Sequence, residues 1–381
     1  MSEINENTII INFDSDRDLE YIISDFDKNF EYIEDTYEYI LRPFENMLET
    51  GEEIDTFTEE KLNHIKELNF EYMICAVCAK NGFLNIIKWL RAQDTPWQWD
   101  EKICEIVTYN GYLNILQWIR SQDPPCPWNK NACINAAGKG NLDMLQWLRS
   151  QDPPCPWDEN ALCIIAAQNG HLNVLQWLRS QDPPCSWDDK VCLNASGDGH
   201  VDILQWLRSQ DPPCPWNEDG CCEVAILDGH LNVLQWIREQ NPHCTWNENF
   251  CRWAAQKGHL HILQWLRTQD PPCPWDENTC KVAAEKNSLR ILKWLRAQDP
   301  PCPWNENTCE VAAEKGHLNI IKWLRTQDPP CPWNENTCKA ASQYGHLNVL
   351  QWLREQDPPC PWNEMICENA TQNGHLNVVN G

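Results

Sequence analysis

The stretch Trp304-Asn305-Glu306-Asn307-Thr308-Cys309-Glu310-Val311-Ala312-Ala313-Glu314-Lys315-Gly316-His317-Leu318-Asn319-Ile320-Ile321-Lys322-Trp323-Leu324-Arg325-Thr326-Gln327-Asp328-Pro329 reads as two short helices joined by a tight turn and closed by a proline loop. Asn305 is a good N-cap, and Glu306 follows it where the helix dipole favours an acid. Cys309, Ala312 and Ala313 recur at i, i+3 and i+4, a narrow stripe of small residues suited to close helix packing. Gly316 ends this first helix, because glycine takes the left-handed cap conformation at low cost. His317 opens the second helix, where Leu318, Ile321 and Leu324 form one apolar row with Ile320 and Trp323 beside it. Asp328-Pro329-Pro330-Cys331-Pro332 then stops the chain from continuing as helix, since proline lacks a donor and restricts the residue before it.

This unit recurs. Its second-helix tryptophan is repeated at Trp89, Trp118, Trp147, Trp177, Trp206, Trp236, Trp265, Trp294, Trp323 and Trp352, spaced by 29 residues except for gaps of 30 ending at Trp177 and Trp236. A second tryptophan follows ten residues after each, from Trp99 to Trp362, which leaves only Trp97 and Trp253 of the 22 outside the pattern. A fixed period of this size marks a solenoid, and one hairpin cannot bury its own apolar face without a neighbour on each side. The tryptophans are therefore expected in the core. Ten complete units run from about residue 71 to 363. The chain stops at Val378-Val379-Asn380-Gly381, where the next Leu-Gln-Trp is due, so the eleventh unit reads as truncated.

The formal charge of −26 is unevenly placed: residues 1–60 hold 19 Asp/Glu against Arg17, Lys28 and Arg42, a net of −16. Leu19–Phe30 and Tyr32–Leu48 have helix-like apolar spacing with acidic faces, and Gly51–Thr58 looks like a break. Residues 1–66 are expected to form an acidic N-terminal helical cap or small module, and residues 67–381 the array, since solenoids need polar caps. A net acidic chain repels phosphate backbones, so no nucleic-acid partner is expected. No run reaches the roughly 18 apolar residues of a membrane span, and Ser2, Glu3 and Glu6 do not open a secretory signal. The resulting expectation is a monomeric intracellular protein, cytoplasmic by default, with reduced thiols.

The residues Ala-Ala-x-x-Gly-His-Leu-x-x-x-x-Trp-Leu, as in Ala166 to Leu178 and Ala312 to Leu324, resemble the ankyrin repeat over about residues 71 to 378, in eleven registers. This cysteine- and tryptophan-rich variety is similar to arrays found in giant viruses and unicellular eukaryotes, which would place it in a host cytoplasm if the source is viral. The resemblance implies an all-α, ankyrin-like helical-hairpin solenoid that binds proteins through its fingers and its concave inner-helix face. The period is 29 rather than 33, and phrases such as Asn307-Thr308-Cys309 replace the family's Thr-Pro-Leu-His. The finger is thus expected to shrink to a compact proline turn, which leaves the inner helix as the binding element.

The repeated polar residues could carry chemistry. Cysteines occupy two registers, eleven in first helices from Cys75 to Cys367 and nine in proline loops from Cys126 to Cys360. A thiol-rich, metal-binding or redox-buffering repeat is the alternative function. Zinc sites, however, bring paired ligands two to four residues apart, and only Cys75 and Cys78 do so, both on a packing stripe. Buried free cysteine packs as a small hydrophobe, so no metal site is expected. Histidine opens the second helix in seven units, and Phe83, Tyr112, Asn141 and Ser288 replace it elsewhere, as suits a structural turn residue. Arginine follows each anchor tryptophan by two and an aspartate or Asn241 comes three later, which suggests ladders of weak ion pairs. No nucleophile with its base, phosphate loop or carboxylate pair stands out, so neither an enzyme nor a cofactor is expected.

Within the unit the second helix and loop hardly change, and the first helix changes most at the two positions after its cysteine, as in Ile164-Ile165, Glu223-Val224, Arg252-Trp253 and Lys281-Val282. Trp253 is the off-pattern aromatic, and aromatic plus arginine is a typical interface anchor. The expected function is a non-enzymatic scaffold whose protein partner touches Arg252, Trp253, Lys281 and Tyr344; the bland alternative is that these residues adjust packing.

Overall fold

A computed structural model describes residues 71–93, 96, 98–240, 246–362 and 365–375. The expected acidic cap, residues 1–66, lies outside the described residues. Regular structure among the described residues consists of twenty-one helices and no strand. The chain divides between Trp157 and Asp158 into two compact units. In the first unit the hairpins are α1 Glu71–Asn81 with α2 Leu84–Arg91, α3 Glu101–Tyr109 with α4 Leu113–Arg120, and α5 Lys130–Gly138 with α6 Leu142–Ser150. The second unit opens with α7 Glu159–Gln168 and α8 Leu172–Arg179, α9 Asp189–Gly197 and α10 Val201–Ser209, α11 Glu218–Asp228 and α12 Leu231–Gln240, and α13 Glu248–Lys257 and α14 Leu260–Arg267. It continues with α15 Glu277–Glu285 and α16 Leu289–Arg296, α17 Glu306–Glu314 and α18 Leu318–Arg325, α19 Glu335–Gln343 and α20 Leu347–Arg354, and the single first helix α21 Met365–Gln372.

Local chemistry sets each boundary. Nine first helices, α3 to α19, start at an Asp or Asn whose side chain accepts a first-turn N–H, as Asn305 does from Asn307 at 3.1 Å. The first helix then closes on a glycine in the left-handed region, such as Gly316 at φ 71, while the His317 N–H donates to the Ala312 carbonyl at 2.8 Å. In eight of the loops the Asp–Pro bond is cis.

The core is made of the small first-helix stripe and the branched second-helix face: Cys309, Ala312 and Ala313 of α17 and Ile320, Ile321 and Leu324 of α18 have no exposed surface. Leu318, expected in that row, is half-buried because it is the first helical residue beside an open turn. The anchor tryptophans also depart from expectation. Trp236 is buried, but the other nine, Trp206 included, are half-buried at the rim of the core. Ala and Cys leave too little room between first helices for an indole, so the rings gather on the loop side. Within each unit every first helix packs on the next first helix, whereas second helices, with their bulkier residues, stand further apart.

Candidate functional site

The repeated polar groups form the same circuit in eight repeats. The guanidinium of Arg325 lies 3.9 Å from the centre of the Trp333 ring, and its Nη1 donates to the Cys331 carbonyl at 2.6 Å. The other nine such arginines also stand over the tryptophan eight residues on, from Arg91 over Trp99 to Arg354 over Trp362. Eight loop rings also meet their own repeat's anchor edge-on, as Trp304 meets Trp323 at 6.2 Å and 76°. The ladder of Arg–Asp pairs is therefore corrected: Arg325 makes no ion pair with Asp328, because the loop turns the guanidinium back onto backbone and ring instead.

The loop cysteine sits at the centre of the circuit. The N–H of Cys331 donates to the Leu324 carbonyl at 3.0 Å, and its thiol donates to the Asn305 carbonyl at 3.5 Å. Its own carbonyl takes both Arg325 and, at 3.9 Å, the thiol of Cys309. Twenty cysteines are free and buried. Burial pushes the Cys163 thiol up to about 12 and the Cys221 thiol to about 11. In Cys133 the neighbouring thiol of Cys155 raises it further, with burial adding to the shift. Such thiols stay protonated and inert. Among the described residues no three His, Cys, Asp or Glu side chains converge as a metal site requires.

The turn histidines form a second register. His200, His259, His317 and His346 each hold Nε2 within 2.9 to 3.1 Å of a first-helix carbonyl of the preceding repeat. The rings rest on the preceding turn's glycine: a Cβ on Gly316 would lie 2.6 Å from Nδ1 of His346. These histidines hold neighbouring hairpins together.

The surface outside these circuits contains the candidate binding residues. Arg252 and Trp253 are half-buried on α13, and Lys281 occupies the register of Arg252 on the adjoining first helix, α15. Tyr344 is the most exposed large hydrophobic among the described residues, at 49%, but it caps the C-terminal end of α19, two repeats beyond α15 and at the other helix end. The structure thus brings Arg252, Trp253 and Lys281 into one layer and leaves Tyr344 apart. Trp253 stacks on Phe250 at 5.6 Å and 30°, and Phe250 meets Trp246 edge-on at 5.5 Å, so part of its role is packing. Sequence reasoning missed the arginine–tryptophan stacking, although its signal, a constant spacing of eight, was present in every unit.

Repetition of one helical hairpin at a fixed period defines the helical-repeat class of solenoid proteins. No family model matches the chain, and no curated protein matches it. Among solved structures it is similar to the pentatricopeptide repeat protein PPR10 in complex with an 18-nt psaJ RNA element, with a TM-score of 0.31 and 11% identity over 96% of this chain. The same figures hold for that protein carrying three cysteine-to-serine substitutions, again with the RNA element. The chain spans 66% of the length of these neighbours. Both are complexes with RNA, and on that finding the expectation that nucleic acid is excluded as a partner is withdrawn. No described helix is long and apolar enough to cross a membrane.

Proposed function

We propose that the chain is an ankyrin-like, non-enzymatic scaffold that holds a partner protein along its first helices. One observation carries this reading: from α5 to α19 the residue after the core cysteine is accessible and varies along the array, whereas Ala76 and Glu105 in the same register of α1 and α3 are buried. It reads Ile134, Ile164, Leu193, Glu223, Arg252, Lys281, Glu310 and Lys339, each half-buried. The arginines, tryptophans, loop cysteines and histidines, by contrast, engage backbone and neighbouring rings, and are occupied with holding the array together. A surface of constant backbone with changing side chains is how a repeat array encodes a partner. Free, buried thiols in this number suit a reducing compartment.

Affinity purification of the full chain with mass spectrometry tests the proposal, run beside an Arg252→Ala/Trp253→Ala/Lys281→Ala variant. A protein retained by the parent and lost from a variant of unchanged helical circular dichroism supports it. Retention by both, or by neither, overturns it.

A further inference from the structure

The turn ladder is interrupted at Gly258. A Cβ on Gly170, Gly199, Gly229, Gly316 or Gly345 would strike the next repeat's histidine at 2.5 to 2.9 Å, but nothing lies within 4 Å of one on Gly258. The following turn is Asn287-Ser288, with Asn287 at φ 55, and the short Ser288 hydroxyl turns back to the Lys286 carbonyl at 3.4 Å. A notch therefore opens between the turns of α13–α14 and α15–α16.

What overhangs the notch follows from register. Two residues after the turn, a side chain reaches back over the preceding glycine: Asn232 donates to the Gly199 carbonyl at 2.9 Å, and Nε2 of His261 lies 3.2 Å from that of Gly229. The equivalent residue above Gly258 is Arg290. One turn further along, most second helices expose a glutamine, as at Gln264 and Gln351, but α16 and α18 expose Lys293 and Lys322. Arg290, Lys293 and Lys322 are exposed and make no ion pair or side-chain hydrogen bond among the described residues. Neither α16 nor α18 contains an acidic residue, in a chain whose net charge is −26. Lys286 beside the notch is held by Glu285 at 3.5 Å.

We propose that this notch and its cation row dock a short acidic segment of a partner polypeptide. One carboxylate enters the notch beneath Arg290, and those that follow meet Lys293 and Lys322. Charge complementarity selects the occupant. Its length follows from the row's confinement to two adjacent repeats, with uncharged Gln264 and Gln351 on either side. A nucleic-acid strand would call for phosphate contacts continuing along the array.

The test is fluorescence anisotropy of a labelled peptide of alternating Asp and Gly against the full chain, at low and at physiological salt. The variant Arg290→Asn/Lys293→Gln/Lys322→Gln carries what Asn319, Gln264 and Gln351 already supply in register, so it folds. We expect it to weaken binding about tenfold or more, as loss of three rim charges does. Ser288→His, which closes the notch, also weakens binding, whereas Lys88→Gln, the substitution made at Lys293 and Lys322 placed in the same register of α2, leaves it unaltered. The proposal is overturned if the parent does not bind, or if the triple variant or Ser288→His binds like the parent. It is also overturned if single-stranded RNA binds more tightly than the peptide and is the ligand the triple variant loses.

Discussion

Arg325 and Trp333, in successive repeats, form a stacked pair with the guanidinium carbon 3.9 Å from the ring centre. The same arginine donates to the Cys331 carbonyl, so one side chain pins the loop between two hairpins. A cation over an indole contributes about 0.5–1 kcal/mol, and a charge-assisted hydrogen bond adds about 1.5 kcal/mol or more. Arg325→Ala is expected to cost ~2 kcal/mol. Arg325→Lys should recover no more than about half, since an ammonium cannot lie flat on the ring and donate sideways together. Urea denaturation followed by circular dichroism reads both, and an unmoved midpoint in the alanine variant would remove the pair from the stabilising contacts.

Gly316 and Gly258 share a backbone conformation but not a neighbourhood. Both have positive φ, 71 and 85, so an alanine at either incurs the left-handed penalty of roughly 1–2 kcal/mol. At Gly316 the new methyl would also lie 2.6 Å from His346, whose Nε2 is tied to the Glu314 carbonyl at 2.9 Å. Gly316→Ala should therefore lower the denaturation midpoint more than Gly258→Ala does. Adding His346→Ala should bring the two glycine effects together. Equal effects in the two single variants would contradict the histidine–glycine ladder.

Thr308 lies in the core of α17 with a hydroxyl that finds no partner, and Thr279 and Thr337 do the same on α15 and α19. An unsatisfied buried hydroxyl costs about 1–3 kcal/mol. Val191 occupies the same register, fully buried, with the same branched shape. Thr308→Val is expected to raise stability by ~1 kcal/mol, visible as a higher midpoint at constant slope. A lower midpoint would mean that the hydroxyl is bonded in solution.

What the sequence made legible is what neighbours within one hairpin decide. The Asn305 cap, the Gly316 stop, the Cys309–Ala312–Ala313 stripe and the proline break all act over a few residues, and each stands where its chemistry places it. Contacts spanning a loop or a whole repeat were not legible. Asp328 is close to Arg325 along the chain, yet the true partner lies eight residues away, on the far side of the proline loop. The histidine–glycine contact joins residues about 30 apart, as His346 meets Gly316, and nothing within one hairpin announces it. In the candidate site, Arg252 and Lys281 fell into one layer because they share a register. Tyr344 did not, because it lies at the cap of its helix, five residues past the register that Arg252 and Lys281 share.

The buried thiols should make the array sensitive to alkali. Cys163 rises from an ordinary 9.0 to about 12 and Cys221 to about 11, in both cases chiefly through burial. Below pH 9 these thiols are protonated in both folded and unfolded chains, so their packing stabilises the fold in full. Above it the unfolded chain releases protons that the folded chain retains, and each thiol withdraws about 1.4 kcal/mol per pH unit until its folded pKa is passed. The urea midpoint should thus hold steady from neutral pH to about pH 8.5 and then fall steeply between about pH 9 and 11 at fixed ionic strength. Lysines and tyrosines titrate in the same window, so the decisive comparison is with Cys163→Ala. That variant is less stable at neutral pH, through lost packing, but its midpoint should fall more gently with pH than the parent's. Parallel slopes would show that Cys163 ionises as readily in the fold as out of it, and the thiol circuit would then be open to water and to oxidants.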